Sequence, residues 1–332
     1  MNICVAVLGA GSWGTTVAHL AAHNVPTVVW ARDPAVAAEI NESHQNNRYL
    51  AGYQLHPDLT ATSDLAEAVR CADVLVMGVP SHGFRSTLEE VKPHLRAWVP
   101  VVSLSKGLEQ GSRLRMTQLI DEALPGHPYG VLTGPNLAKE ILAGHAAAAV
   151  IAMSDPGISE ELQRVFSSNL FRVYVNDDVI GSELAGALKN VMALAAGMAD
   201  GLGTGDNTRA AVITRGLAEL TRLGVAMGGR AETFAGLAGM GDLVATCISP
   251  QSRNRHVGEE LGKGRSLDEI IEEMHMVAEG VKTTKVVMEL AREHDVYMPI
   301  AEQMDLVCNQ GASPVEAYRG LLKHEVKHEL HR

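Results

Sequence analysis

Lys189 and Asn190 stand inside an apolar stretch, residues 184–197, whose spacing is that of a helix. A lysine that loses its water on burial releases its proton more readily and becomes a usable proton donor. A lysine on the helix surface would instead extend its ammonium group into water. The residue pattern leaves both alternatives open, and only the first one predicts a catalytic group.

A carboxylate and a hydroxyl follow further along the chain. Residues 239–243 (GMGDL) predict a flexible, glycine-rich turn that carries Asp242, and Thr246 lies four residues later. A helix that begins near Asp242 would place both side chains on one face.

Segment 251–255 (QSRNR) concentrates polar donors directly after a proline. Ser252, Arg253 and Asn254 offer a guanidinium fork and short donors, which suit a phosphate dianion. A solvent-exposed basic loop is an equally good interpretation. The segment alone therefore does not decide whether phosphate binds here.

Polar residues also follow two predicted strands. Lys106 (in SKG) comes after a strand predicted at 99–104, and Gly134 and Asn136 (in GPN) come after one predicted at 131–132. Open α/β sheets bind ligands at the carboxyl ends of their strands. We therefore expect these three residues to line one crevice.

The string GAGSWG at residues 9–14 matches G-x-G-x-x-G between a predicted strand and a predicted helix. Gly9 permits the tight turn, Gly11 lets the backbone approach a pyrophosphate, and Gly14 lets the helix pack close to the strand. The free N–H groups of that helix favour an anion. The string predicts a dinucleotide site, and a glycine-rich turn without a ligand is the alternative.

The end of the second predicted strand, at 27–31, distinguishes NAD from NADP. An acidic residue there would bind the ribose hydroxyls. This chain has Arg32 followed by Asp33. Arg32 can pair with a 2′-phosphate while Asp33 caps the next helix, so we expect NADP(H) to be preferred and NAD(H) to be tolerated. The alternative for Arg32 is a solvated surface cation.

Strands and helices alternate up to about residue 175, and only helices are predicted afterwards. This order predicts an α/β N-terminal Rossmann-type doubly wound sheet at 1–178 plus an all-α C-terminal domain at 179–332. The predicted strands are 3–8, 27–31, 73–79, 99–104 and 131–132, with late strands at 146–153 and 171–175 expected to be antiparallel edges; the predicted late helices are 180–200, 208–223 and 268–294.

The composition excludes several classes of protein. A formal net charge of −11 on 332 residues disfavours binding to nucleic acid, although a local cluster of Arg and Lys still suits a small phosphate. Cys4, Cys71, Cys247 and Cys308 lack CxxC spacing, so we expect reduced, mostly buried thiols in a cytoplasmic protein. No leader, no metal-ligand spacing and no run of about 18 apolar residues stands out, so we expect no membrane span and no metal.

Taken together, these segments resemble the bacterial NAD(P)-dependent glycerol-3-phosphate dehydrogenases over nearly the whole chain. The combination in this order is far more specific than the glycine string. The matching segments are GAGSWGT (9–15), SKGLE (105–109), TGPNLAKE (133–140), FRVY (171–174), GALKNVMALAAGMADGLG (186–203), TRGLAEL (214–220), GLAGMGDLVATC (236–247), QSRNR (251–255), VAEGVKTTK (277–285) and MPI (298–300).

The resemblance implies a role for each matching residue. Lys189 transfers the proton, and Asn190, Asp242 and Thr246 orient it and the substrate hydroxyls. The implied substrate contacts are Lys106, Gly134, Asn136, Lys189, Asp242, Ser252, Arg253 and Asn254. The implied cofactor contacts are Gly9, Gly11, Ser12, Trp13, Gly14, Arg32, Tyr49, Lys106, Ala138, Arg253, Val277 and Glu279. One departure is Asn136, because the family usually has Ser or Thr at that position.

The implied reaction is the reversible, NAD(P)H-dependent reduction of dihydroxyacetone phosphate to sn-glycerol 3-phosphate, which supplies glycerophospholipid synthesis. The expected partner is this small phosphorylated substrate, and an Ala-, Gly- and Met-rich helical domain leaves a homodimer open. A related dehydrogenase for another keto or hydroxy acid would not need Arg253. A non-catalytic dinucleotide sensor would have no use for a buried Lys189.

Overall fold

The structure is a computed structural model that describes residues 3–274 and 279–323. The chain divides into two compact units. The first unit contains residues 1–187 and 228–242, and the second contains 188–227 and 243–332. The domain boundary after residue 178 stays a prediction.

In the described residues, the first unit contains an eight-stranded sheet with the strand order β3-β2-β1-β4-β5-β6-β7-β8. The first six strands are parallel, which confirms the doubly wound α/β class. The antiparallel direction of the late strands is also confirmed, because β7 runs opposite to β6 and β8 runs parallel to β7. Only β8 lies at an edge of the sheet, so the edge position predicted for β7 is wrong. The strands are β1 Val5–Leu8, β2 Thr27–Trp30, β3 Leu59–Thr62, β4 Val74–Met77, β5 Val101–Ser103, β6 Tyr129–Thr133, β7 Ala147–Met153 and β8 Phe171–Asn176.

Helices cover the sheet and make up the rest of the described chain. Among the described residues no strand follows β8, as the sequence predicted. The helices are α1 Ser12–Ala22, α2 Pro34–Ser43, α3 Asn47–Leu50, α4 Leu65–Cys71, α5 Phe84–Val91, α6 Met116–Ala123, α7 Ala138–Leu142, α8 Pro156–Phe166, α9 Val179–Gly201, α10 Asp206–Ala226, α11 Ala231–Ala235, α12 Asp242–Ile248, α13 Arg253–Gly262, α14 Leu267–Met274, α15 Glu279–Glu293, α16 Pro299–Gln310 and α17 Pro314–Lys323.

Strand β1 shows why its sequence is apolar without alternation. Val5 and Val7 pack into one core cluster together with residues of α1. Ala6 and Leu8 pack into a second cluster together with residues of α4 and α5. Both faces of the strand are therefore covered, as is typical of a parallel sheet. This packing fixes the direction in which the chain enters the glycine turn after Leu8.

Helix α9 is long and apolar enough to cross a membrane by length and composition alone, but 94% of its most apolar window is buried inside the structure. Glu183 and Lys189 interrupt its apolar sequence. A core helix of a globular protein passes the same test, so this helix is weak evidence for a membrane span.

Helix α10 holds the start of α16 through a buried carboxylate. Glu219 is 2% exposed and accepts hydrogen bonds from the backbone N–H groups of Ile300 (2.8 Å) and Ala301 (3.2 Å). Burial raises the pKa of Glu219 to about 7, although these two hydrogen bonds oppose the shift. The folded protein therefore binds this proton more tightly than the unfolded chain does.

Protonated Glu219 contributes its full share to the free energy of unfolding below the pKa of an unfolded glutamate, about 4.3. This contribution is lost as the pH rises through 7. We expect the melting temperature of the protein to fall more steeply between pH 5 and pH 8 than that of a Glu219→Gln variant. Calorimetry of both proteins across this range measures the difference. Identical slopes would contradict the assignment.

Candidate active site

The glycine turn joins β1 to α1. Gly9 has φ of 118°, and a Cβ on it would lie 2.7 Å from the carbonyl oxygen of Gly78. A Cβ on Gly14 would lie 2.0 Å from the carbonyl oxygen of Gly9, so the helix could not pack there with a larger residue. Gly11 faces open space, and as the residue before α1 it supplies no side-chain cap. The first N–H groups of α1 are therefore open to an anion.

The turn also lies at the correct edge of the sheet. Gly9 follows β1 and Gly78 follows β4, and the strand order reverses between these two strands. Open α/β sheets bind ligands at such a switch point. The glycine turn, where a Cβ on Gly9 or Gly14 would not fit, and the uncapped start of α1 both fit the pyrophosphate of a dinucleotide.

Two side chains brace the turn. The buried Asn46 donates through Nδ2 to the carbonyl oxygen of Ala10 and to Oγ1 of Thr15, both at 2.9 Å. Ser12 donates through Oγ to the carbonyl oxygen of Tyr49 at 3.3 Å. Ser12 and Tyr49, both predicted cofactor contacts, are thus neighbours. Asn46 was not predicted, since no local sequence pattern marks it.

Trp13, another predicted cofactor contact, lies in the first turn of α1. Its ring centroid is 6.4 Å from that of Phe171. Its buried indole N–H has no hydrogen-bond partner among the residues that the structure describes. This donor is therefore available to a ligand group.

The two charged residues after β2 behave differently. Asp33 caps α2 by accepting a hydrogen bond from the N–H of Ala35 (3.0 Å), and it pairs with Arg48 (2.9 Å). The cap predicted for Asp33 is therefore confirmed. Arg32 is exposed, and no ion pair joins it to the described residues. The position suits a 2′-phosphate, and the preference for NADP(H) stays a prediction.

Three of the residues predicted to line a crevice lie together in the first unit. Lys106 donates through Nζ to the carbonyl oxygen of Gly134 (2.9 Å) and to Oδ2 of Asp242 (2.7 Å). Asn136 donates to the carbonyl oxygen of Ala148 (3.2 Å), and its buried Oδ1 accepts nothing from the described residues. The side chains of Lys106 and Asp242 are 18% and 3% exposed, so this ion pair is shielded from water.

The segment before Asp242 is not the flexible turn that its glycines predicted. Residues Leu237–Gly241 form a π-helical turn that continues into α12. A Cβ on Gly239 would lie 2.1 Å from the carbonyl oxygen of Phe234, so close packing rather than flexibility requires this glycine. The helical continuation is confirmed, and it places Asp242 and Thr246 one turn apart on α12.

Lys189 is buried rather than extended into water. Lys189 is 6% exposed, and its Nζ donates a hydrogen bond to Oγ1 of Thr246. Asn190, the next residue of α9, is 5% exposed. Of the two alternatives that the sequence left open, the structure supports the buried amine.

The two arginines of segment 251–255 have different environments. Arg255 is bound to Asp200 (2.7 Å) and to Glu259 (3.1 Å). Arg253, the first residue of α13, is exposed and forms no ion pair with the described residues. Arg253 is therefore the arginine that remains available to an anion at the start of this helix.

The neighbours of Arg253 also lie at the start of α13. Ser252 caps the helix by accepting a hydrogen bond from the N–H of Arg255 at 3.2 Å. Asn254 accepts one from the N–H of Gly280 at 3.0 Å, which holds the start of α15 beside it. Glu279 begins that helix, Ala138 begins α7, and Val277 lies outside the described residues.

The fold and the glycine turn define the class: a Rossmann-type dinucleotide-binding protein with a helical second part. Two family models match the chain. Residues 4–159 match the N-terminus of NAD-dependent glycerol-3-phosphate dehydrogenase, and residues 178–319 match its C-terminus. The chain belongs to the NAD-dependent glycerol-3-phosphate dehydrogenase family.

Individual relatives agree along the whole chain. A protein of Sphingopyxis alaskensis named glycerol-3-phosphate dehydrogenase (NAD(P)+) 2 is 60% identical, and the alignment covers 100% of this chain and 99% of that protein. A Mycobacterium tuberculosis protein named glycerol-3-phosphate dehydrogenase (NAD(P)+) 1 is 57% identical, and the alignment covers 98% of this chain and 96% of that protein. The crystal structure of glycerol-3-phosphate dehydrogenase from Coxiella burnetii matches with a TM-score of 0.92 and 37% sequence identity. The match covers 97% of this chain and 99% of the Coxiella chain.

Proposed function

We propose that this chain is an NAD(P)-dependent oxidoreductase that reversibly reduces dihydroxyacetone phosphate to sn-glycerol 3-phosphate. The observation that carries the proposal is the buried Lys189, whose ammonium group is held by the hydroxyl of Thr246. Burying a cation is costly, and folding alone does not require it in an apolar helix. The membership of the family supplies the substrate class.

When bound, the nicotinamide supplies the hydride that adds to the ketone carbon of the substrate. Lys189, as ammonium, stabilises the negative charge that develops on the ketone oxygen and donates its proton there. In the reverse direction, the neutral amine of Lys189 accepts the proton of the alcohol. Thr246 orients this amine, and Asn190 and Asp242 orient the substrate hydroxyls.

The phosphate of the substrate binds at the start of α13. Arg253 supplies a guanidinium that the described residues leave available, and Asn254 and Ser252 supply short polar groups beside the helix N–H groups. Lys106, Gly134 and Asn136 complete the substrate contacts. Binding energy from the phosphate, which does not react, positions the ketone for hydride transfer.

The dinucleotide binds on the glycine turn, with the pyrophosphate over Gly11 and the N-terminus of α1. Lys106 contacts both cofactor and substrate. NADP(H) is the preferred cofactor and NAD(H) is tolerated, because Arg32 is available for a 2′-phosphate. The proposed cofactor contacts are Gly9, Gly11, Ser12, Trp13, Gly14, Arg32, Tyr49, Lys106, Ala138, Arg253, Val277 and Glu279.

Arg32 gives the first test of the cofactor preference. We expect Arg32→Ala to raise the KM for NADPH by about tenfold, because an exposed charge-assisted contact contributes on the order of 1 to 2 kcal/mol. The KM for NADH should not change, since NADH lacks the 2′-phosphate. Initial rates with both cofactors measure this difference, and equal changes for NADPH and NADH would assign Arg32 another role.

The proposal extends to the setting of the enzyme. The enzyme acts in the cytoplasm, where it supplies sn-glycerol 3-phosphate for glycerophospholipid synthesis. Residues 179–332 are its substrate domain. A homodimer is an open alternative for its oligomeric state. The absence of a metal requirement stays a prediction from the sequence. The net charge of −11 disfavours nucleic acid.

A spectrophotometric assay tests the activity directly. Oxidation of NADPH and of NADH is followed by the loss of absorbance of the reduced nicotinamide. Dihydroxyacetone phosphate is compared with unphosphorylated dihydroxyacetone. We expect turnover with the phosphorylated ketone and little with the other, and equal rates would contradict the proposed substrate class.

A further inference from the structure

Two cysteines that are far apart in the sequence have their sulfur atoms in contact. Cys4 directly precedes β1, and Cys71 is the last residue of α4. The thiol of Cys4 donates a hydrogen bond to Sγ of Cys71 at 3.2 Å, across 67 residues of chain. No local sequence pattern predicts this pair, because the two cysteines are far apart along the chain.

The backbone around Cys4 is fixed at this position. Its N–H donates to Oδ2 of Asp73 at 2.8 Å, and its carbonyl oxygen accepts from the N–H of Asp73 at 2.8 Å. Asp73 is in turn paired with Arg96 at 2.6 Å. These bonds hold Cys4 beside the end of α4, so the fold itself brings the two sulfur atoms together.

The two thiols differ in reactivity. Cys71 is exposed and Cys4 is half-buried, so the prediction that the thiols are mostly buried is wrong for this pair. The hydrogen bond from Cys4 lowers the pKa of the Cys71 thiol to about 7, against the opposing effects of burial and of the carboxylates of Asp73 and Glu67. The same hydrogen bond and burial raise the pKa of Cys4. Cys71 is therefore the better nucleophile at neutral pH, and Cys4 is placed to react second.

We propose that Cys4 and Cys71 are a thiol modification site that forms a reversible disulfide with a small-molecule disulfide as the oxidant. The thiolate of Cys71 attacks one sulfur of the oxidant, forms a mixed disulfide and releases one thiolate. Cys4 then gives up its proton, and its sulfur attacks Sγ of Cys71 and releases the second thiolate. Two protein thiols are oxidised and one small disulfide is reduced to two thiols.

The bond would stabilise the protein without touching the glycine turn. It would link the start of β1 to the end of α4 and close a loop of 67 residues, which restricts the unfolded chain. Cys4 is five residues before Gly9, roughly 16 Å along an extended strand. We therefore expect oxidation to leave turnover within about twofold and to raise the melting temperature by about 5 °C or more.

The test uses the purified full chain and oxidised glutathione at pH 7.5. Free thiols are then blocked with N-ethylmaleimide, and the protein is analysed by intact mass and by a peptide map without reduction. We expect two blocked thiols, one linked peptide that contains Cys4 and Cys71, and full reversal by dithiothreitol. Both cysteines free, or glutathione left on Cys71 of the unaltered chain, would overturn the proposal.

Three variants separate the two thiol roles. Cys4→Ala, which removes both the sulfur and the hydrogen-bond donor, should stop at the mixed disulfide on Cys71, and the midpoint of its alkylation pH profile should move from about 7 toward the ordinary thiol value of about 8.5. Cys71→Ser should react at least about tenfold more slowly. Cys308→Ser is the matched control, since burial raises the pKa of Cys308 to about 12, and it should form the bond normally. An unchanged alkylation profile in Cys4→Ala would overturn the assigned roles.

Discussion

Replacing Lys189 by alanine is expected to lower kcat by about a thousandfold while the Kd for NADPH stays within about twofold. The variant loses the proton donor and the positive charge that stabilises the ketone oxygen. It keeps the glycine turn, which belongs to a different part of the sequence. Single-turnover rates measure the chemical step, and the change of NADPH fluorescence on titration measures cofactor binding.

Alanine at this buried position also removes side-chain volume, so a second variant is needed. Lys189→Met keeps an unbranched side chain of similar volume and removes the charge together with the hydrogen bond to Thr246. Both variants should lose turnover, whereas Lys189→Met should melt close to the unaltered protein. If Lys189→Met retained turnover, or if both variants lost NADPH binding and turnover equally, the lysine would be structural.

The fold could be predicted where one short stretch of sequence determines several elements. The apolar run of β1 and the glycine string after it fix a strand, a turn and a helix within residues that follow one another. Strand β3, Leu59–Thr62, was not predicted, because only two of its four residues are buried and its sequence LTAT resembles a loop. Its pairing with β2 decides its structure, and that pairing is a tertiary interaction.

The site was predictable only as a set of candidates. Each of Lys106, Lys189 and Asp242 was identified from its neighbours in the sequence or from the resemblance. Their actual partners are distant: the ion pair of Lys106 with Asp242 spans 136 residues, and the hydrogen bond of Lys189 with Thr246 spans 57. Local patterns report which residues are unusual for their element, and only packing decides which of them meet.

The π-helical turn before Asp242 shows the same limit in a different way. Three glycines within six residues favour a flexible loop by composition, since glycine has the most backbone freedom. Gly239 is instead required because the carbonyl oxygen of Phe234 occupies the space of a side chain. One residue type serves both purposes, so the sequence could not distinguish them.

Replacing Arg253 by alanine is expected to raise the KM for dihydroxyacetone phosphate by about 10- to 100-fold, the effect of losing hydrogen bonds to a charged group. At saturating cofactor, turnover of unphosphorylated dihydroxyacetone should not change, because that ketone has no phosphate to bind. Inorganic phosphate should inhibit the unaltered enzyme by competing with the substrate and should inhibit the variant more weakly. Initial rates with both ketones measure all three effects.

Arg255→Ala is the matched control, because it removes the same side chain two residues later on α13. Arg255 is bound to Asp200 and Glu259, which Arg209 and Lys263 also bind, so its loss removes one of the two cationic partners of each carboxylate and should lower the melting temperature. Arg253 is exposed, so its loss should cost little stability. A stable Arg253→Ala enzyme with an unchanged KM for the phosphorylated ketone would place the phosphate elsewhere, since no packing defect could then account for the result.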